Sequence, residues 1–204
     1  MKFHLLTETL FMTVNLMDRY LSKMEIDKKE YQLMAITSML IACKFEEVYP
    51  PEIRDFIYIS DKSFSKEEII KMESNILSSL NFDLITVSSF RFLERLSLSF
   101  ESHLISFNLS QYFLELSLVE NRLNYPSSMI ATSAIVISRK ILKLEPDFPL
   151  NLQKASGYAY EMLRNCLKDL CSIIESRKIE CFNAVKNKFA DEKYMGVSIL
   201  SILN

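Results

Sequence analysis

Glycine is almost absent from this chain. There are two in 204 residues, beside five prolines, two histidines and no tryptophan. Sheets and phosphate-binding loops use glycine at turns and wherever backbone must approach a neighbour or ligand closely. A chain this poor in it favours helices joined by short connections. The histidines are His4 and His103, and the cysteines are Cys43, Cys166, Cys171 and Cys181, with no C-x-x-C pair. That set lacks the close Cys/His spacing of a zinc site. The cysteines read as reduced, mostly buried thiols of an intracellular protein. No stretch approaches the roughly 18 apolar residues of a membrane span, and the start of the chain shows no signal-peptide pattern. A soluble intracellular chain is expected. An excess of either charge is also missing: 24 basic residues stand against 26 acidic ones, a formal charge of -2. Nonspecific nucleic-acid binding needs a basic footprint, which this balance does not supply. No histidine-based site, metal cluster or glycine-rich phosphate loop supports an enzyme, and no cofactor is expected.

What the chain does have is helical periodicity. "TETLFMTVNLMDRYLSKM" keeps the 3, 4 apolar spacing through Leu10, Phe11, Val14, Met17 and Leu21, with Thr7 as a candidate N-cap. Asp27 is the expected cap of a second helix over 28–44. That helix is apolar or small on every face from Leu33 to Cys43, so other helices should surround it. Pro50 can open a short third helix, since proline is tolerated in the first turn. Ser65 with Glu68 three residues on is a capping box ahead of the stripe Ile69, Met72, Ile76 and Leu80. "DLITVSSF" reads as a linker. The second half repeats the theme: "HLISFNLSQYFLELSLVENRLN", then "PSSMIATSAIVISRKIL", then a helical stretch broken near Gly157, then "IECFNAVKNKFA" and an irregular tail turning at Gly196. Residues 10–21 lie over 112–123, and 35–44 over 130–139, with Thr37 and Ser38 over Thr132 and Ser133. Two matches in the same order, each with an apolar central helix, indicate duplication of a helical unit.

One stretch does not behave like core. "CKFEEVYPP", residues 43–51, ends the apolar second helix in a lysine, a phenylalanine, two glutamates and a double proline. Locally, Lys44 complements the negative end of the helix dipole, worth about 0.3–1 kcal/mol. The prolines hold the residues before them out of the helical region. Neither fact explains why Phe45 leaves the helix beside charges.

"VNLMDRYLS", "IACKFEEVYPPE", "KMESNILSSLNFDL", "FLELSLVE" and "KYMGVSIL" together resemble the cyclins, most closely the A- and B-type mitotic cyclins, in order over essentially the whole chain. The resemblance implies an all-α fold of two tandem cyclin boxes, here 1–84 and 85–204. It implies a regulatory subunit in the nucleus or cytoplasm that binds and activates a cyclin-dependent Ser/Thr kinase by docking on its αC helix and activation segment. Lys44 would donate to backbone carbonyls at the end of that helix and Glu73 would accept backbone N–H groups there. Phe45 would be an apolar contact, and Glu46, Glu47 and Val48 would lie near the activation segment. Ile41, Leu77, Phe82 and Leu84 match further apolar interface positions, although each also fits an internal stripe. Lys28 and Gln32 match polar positions of a substrate-docking groove for Arg-x-Leu peptides. The family's first helix has no counterpart before "MKFHLLTETL". The family pairs an arginine of that helix with the aspartate at Asp18, and the groove draws its apolar wall from it. An exposed apolar patch over 10–21 and 33–43, and weak peptide docking, are therefore expected. The alternative is a cyclin-box scaffold or transcription-type adaptor that activates no kinase.

Overall fold

The structure is a computed structural model and describes residues 3–119, 123–176 and 183–200. Among those residues there are ten α-helices and no strand. The backbone forms two compact units, Met1–Thr86 and Val87–Asn204.

In the first unit α1 (Thr7–Leu21), α3 (Ile53–Ile59) and α4 (Lys66–Ser79) pack around α2 (Tyr31–Glu46). The reason lies in α2's composition: Leu33, Met34, Leu40, Ile41, Ala42 and Cys43 are all buried, and the intervening positions are half-buried or small. A helix apolar on every face must be enclosed. Leu16 from α1, Phe56 from α3 and Ile69 and Ile76 from α4 close over it. The bare apolar face expected over α2 is therefore not found, and α1 leaves only Leu6 and Leu10 exposed among its large apolar residues.

Two helix starts differ from expectation. Thr7 is the first helical residue of α1, and Leu6, which has no side-chain acceptor, stands at the N-cap. Asp27 caps a short 3-10 turn, Lys28–Glu30, and α2 begins only at Tyr31. None of Lys28, Lys29 and Glu30 is buried, so no packing rewards continuing α2 backward through them. Similarly, α3 starts at Ile53 rather than beside Pro50, because each proline keeps its predecessor extended. Asp55 instead accepts the Glu52 N–H at 3.0 Å. The Ser65–Glu68 capping box is present as expected: Ser65 Oγ accepts the Glu68 N–H at 3.2 Å and Glu68 Oε2 the Ser65 N–H at 2.7 Å. Those bonds, the one to the Ser65 backbone first, hold the Glu68 carboxyl below the usual glutamate range.

The second unit contains α5 (Ser89–Ser97), α6 (Leu104–Val119), α7 (Ser127–Ile141), α8 (Leu150–Ser156), α9 (Tyr160–Ser176) and α10 (Asn183–Phe189). α7 occupies the place of α2, buried from Ala131 to Arg139 and packed against α5, α6, α8 and α9. Long, long, short, long is the order of α1–α4 and again of α6–α9. Thr37 and Ser38, and their counterparts Thr132 and Ser133, are all fully buried. Gly157 ends α8 at φ 74, the left-handed geometry that a glycine adopts without strain. The stretch 179–182 of the expected final helix, Cys181 and the end of the 112–123 match lie outside the described residues. Cys43 and Cys166 are buried free thiols and Cys171 is half-buried.

Candidate functional site

Packing α2 beside α4 brings together two residues 29 apart in sequence. Lys44 Nζ lies 2.7 and 2.9 Å from the two carboxylate oxygens of Glu73. The lysine side chain is 46% exposed and the glutamate side chain 15%. A donor-only group and an acceptor-only group thus share one edge of the first unit, each with further hydrogen-bonding capacity.

The chain leaves α2 directly beyond this pair. Phe45 is 49% exposed, Val48 84% and Tyr49 91%. Glu47 closes the helix in an extended conformation, φ -92 and ψ 138, and its N–H reaches the Cys43 carbonyl. Its side chain turns back into the protein: Oε1 accepts the Leu6 N–H at 2.7 Å and the Thr9 hydroxyl at 2.5 Å. The Cys43 thiol, enclosed below, is pushed up to about 11, first by burial and then by the nearby charge of Glu47. Glu46 is half-buried.

A second exposed edge follows α4. Asn81 and Phe82 both adopt left-handed backbone, φ 52 and 55, and the Phe82 N–H returns to the Leu77 carbonyl at 2.9 Å. Left-handed φ is uncommon outside glycine and asparagine, and costly for a bulky residue. Here it turns the ring outward, 69% exposed. Asp83 is held by Arg19 at 3.0 Å, and Lys23 Nζ bonds the Ser79 carbonyl at 3.0 Å, so α1 ties down the end of α4. Ile85 is exposed as well.

The candidate residues therefore separate by burial. Lys44, Phe45, Val48 and Phe82 reach solvent. Leu77 and Leu84 are half-buried against the core, and Ile41 is inside it. As the chain stands, Ile41 offers a partner no surface, because its place on α2 faces the enclosing helices. Lys28 and Gln32 are both exposed, one in the 3-10 turn and one in the first turn of α2. Asp18 has no ion-pair partner among the described residues. Its carboxyl is pushed upward by desolvation although the residue as a whole remains exposed. Two features escaped the sequence. The aromatic Tyr49 was signalled only by standing before two prolines. The Glu47 bonds to Leu6 and Thr9 cross 41 and 38 residues and leave no local pattern.

The duplication supplies an internal comparison. Arg139 stands where Lys44 does, yet it is almost fully buried. Its Nε and Nη2 donate to the Pro146 carbonyl at 3.2 and 3.0 Å, and its guanidinium lies 5.2 Å from the Phe100 ring centroid. The cation ending the central helix faces outward in one repeat and inward in the other. Lys188 and Glu115 make a further ion pair at 2.6 Å, enclosed within the second unit and joining α10 to α6.

Comparison with known proteins matches residues 1–85 to the cyclin N-terminal domain and 86–203 to the cyclin C-terminal domain. Curated relatives include a G2/mitotic-specific cyclin-B of Marthasterias glacialis, 38% identical over 204 residues and covering all of this chain and 53% of that protein. A G2/mitotic-specific cyclin-B of Dictyostelium discoideum is 35% identical, over 99% of this chain and 47% of that one. A G2/mitotic-specific cyclin-B2 of Gallus gallus is 35% identical, over all of this chain and 51% of that one. The chain thus spans about half the length of these relatives. Among solved structures, a viral cyclin from herpesvirus saimiri matches with a TM-score of 0.75 at 20% identity, covering 88% of this chain and 79% of that one. At that identity the likeness speaks for the fold.

Proposed function

The chain belongs to the cyclin family, and on that premise we propose that it is the regulatory subunit of a cyclin-dependent Ser/Thr protein kinase. It docks through the first unit on the kinase αC helix. Lys44 donates to the carbonyls at that helix's end and Glu73 accepts N–H groups of the same segment. Phe45 and Phe82 supply apolar contact, with Leu77 and Leu84 behind them, and Glu46 and Val48 lie toward the activation segment. Ile41 supports this surface from below. The chain performs no chemistry of its own. It favours the kinase conformation in which a lysine–glutamate pair and the metal-binding aspartate are in place.

The observation that carries this is the Lys44–Glu73 pair, held at 2.7 Å beside exposed Phe45 on a chain of mitotic-cyclin sequence. A residue that served only to cap a helix dipole would need no half-buried glutamate partner from another helix. The test adds the purified chain to a mitotic cyclin-dependent kinase and follows phosphate transfer to a protein substrate. A large rise in rate is expected. Binding with no rise would instead favour the non-activating scaffold. A kinase that neither binds nor changes rate would refute the proposal. Exposed Lys28 and Gln32 form the polar part of a substrate-docking groove, which titration with an Arg-x-Leu peptide reads directly: binding unchanged when both are replaced by alanine would contradict that role.

A further inference from the structure

We propose that Glu47 is a positioning residue of the docking edge: it holds residues 45–49 in their outward conformation by capping α1, and it does not touch the kinase. This rests on the docking role proposed above and gives a different role to Glu47, which the resemblance placed near the activation segment.

The first N–H groups of a helix have no partner within the helix and are usually met by a side-chain oxygen at the N-cap. α1 has Leu6 there, with no such oxygen. A carboxylate from 41 residues away binds this end of the helix: Glu47 Oε1 takes the N–H of Leu6 itself at 2.7 Å, as the third-position glutamate of a capping box does, and the Thr9 hydroxyl at 2.5 Å. A carboxyl also suits the positive end of the helix dipole. Glu47 is simultaneously the residue that ends α2, so one side chain joins the start of α1 to the end of α2. The segment it fixes carries Phe45, Val48 and Tyr49, all exposed, and runs straight into Pro50 and Pro51. It is thus pinned on one side by the carboxyl's bonds to the start of α1 and on the other by two rigid residues. Ordering such a segment beforehand removes an entropic cost from binding. The second repeat provides the contrast. The residue that ends α7 is Leu142, which can accept nothing, and there the cation Arg139 points inward. Outward cation and carboxyl clamp occur together in one repeat and are absent together from the other.

The test titrates variants of the whole chain against a purified mitotic cyclin-dependent kinase and measures amide hydrogen exchange on the free chain. Glu47→Ala should weaken binding about tenfold, a change of about 1.4 kcal/mol. Glu47→Gln should stay within about twofold, because its amide oxygen still accepts both bonds. Thr9 is buried and cannot reach a partner, yet Thr9→Val should reproduce part of the loss and Thr9→Ser should restore binding. In the free chain, amides 46–49 should exchange faster in Glu47→Ala while those of Leu40 and Ile41 keep their protection. If Glu47→Gln is as weak as Glu47→Ala and Thr9→Val binds like wild type, the carboxyl contacts the kinase and the proposal is overturned. Faster exchange throughout α2 would also overturn it, since the effect would then be general stability. Lys44→Ala binding like wild type would bring down the docking role itself, leaving the exchange result to decide whether Glu47 pins the edge.

Discussion

Replacing Lys44 or Glu73 by alanine separates two quantities that a single pair normally confounds. In the free chain the ion pair is only partly shielded: the lysine side chain is 46% exposed and the glutamate 15%. Exposed pairs contribute about 0.2–1 kcal/mol after solvent screening, and this one, although bidentate, sits near that range. Either variant should lower the melting temperature by only about 1–3 °C, using about 2–4 °C per kcal/mol for a protein of this size. Under the proposed docking, the same groups lose their water and face backbone donors and acceptors of the kinase. Truncating one member of such a contact costs about 2–5 kcal/mol, which is about 30-fold or more in affinity. The double variant should lose less than the sum of the single losses, because the two side chains also serve each other. Isothermal titration against a mitotic cyclin-dependent kinase reads the affinities, and a thermal melt reads the stability. Affinities within about twofold of wild type for both single variants would refute the assignment. So would a melting-temperature drop large enough to account for the lost binding, because the pair would then be structural.

Three further outcomes follow from the same structure. Ile41→Ala, in the core, should cost about 2–5 kcal/mol of stability, whereas Phe45→Ala should scarcely move the melting temperature yet weaken kinase binding. The reverse pattern would contradict their burial. Phe82→Gly should relieve left-handed strain and raise stability by about 1 kcal/mol relative to Phe82→Ala, while both lose affinity, so equal stabilities would count against strain at that position. The Glu68 carboxyl titrates below its ordinary value of about 4.3 because the folded chain favours its charged form. Its contribution is therefore complete above that value and lost as pH falls through the lower folded one. Glu68→Gln should remove this part of the acid sensitivity of α4, seen as a flatter dependence of stability on pH below about 4.3, and an unchanged dependence would exclude the capping box as its source.

Local chemistry was legible in the sequence. The capping box at Ser65 and Glu68 appears in the structure because both partners lie within one helical turn. The α8 stop at Gly157 follows from a single backbone preference. The two enclosed central helices follow from composition alone, since Leu33–Cys43 and Ala131–Arg139 have no polar face to offer water. The family was legible because its motifs are dense between residues 40 and 85. The start of α2 was not, because Lys28–Glu30 can turn either way and only burial decides between them.

The sequence by itself thus determined which segments are helical, that they repeat, and which side chains could contact a partner. Only the tertiary structure decided which of them do face outward. Lys44 and Arg139 end equivalent helices, and nothing local separates their roles. One is met by Glu73 at the surface, while the other is drawn beneath the Pro146 carbonyl and the Phe100 ring. Ile41 and Phe45 lie four residues apart on one helical stripe, yet one is enclosed where α1 and α4 close over α2 and the other is past their reach. Glu47 stands among the residues that the resemblance assigns to the kinase. Its oxygen meets the Leu6 N–H at the start of α1, some forty residues earlier, a bond visible only once the two helix ends are brought together.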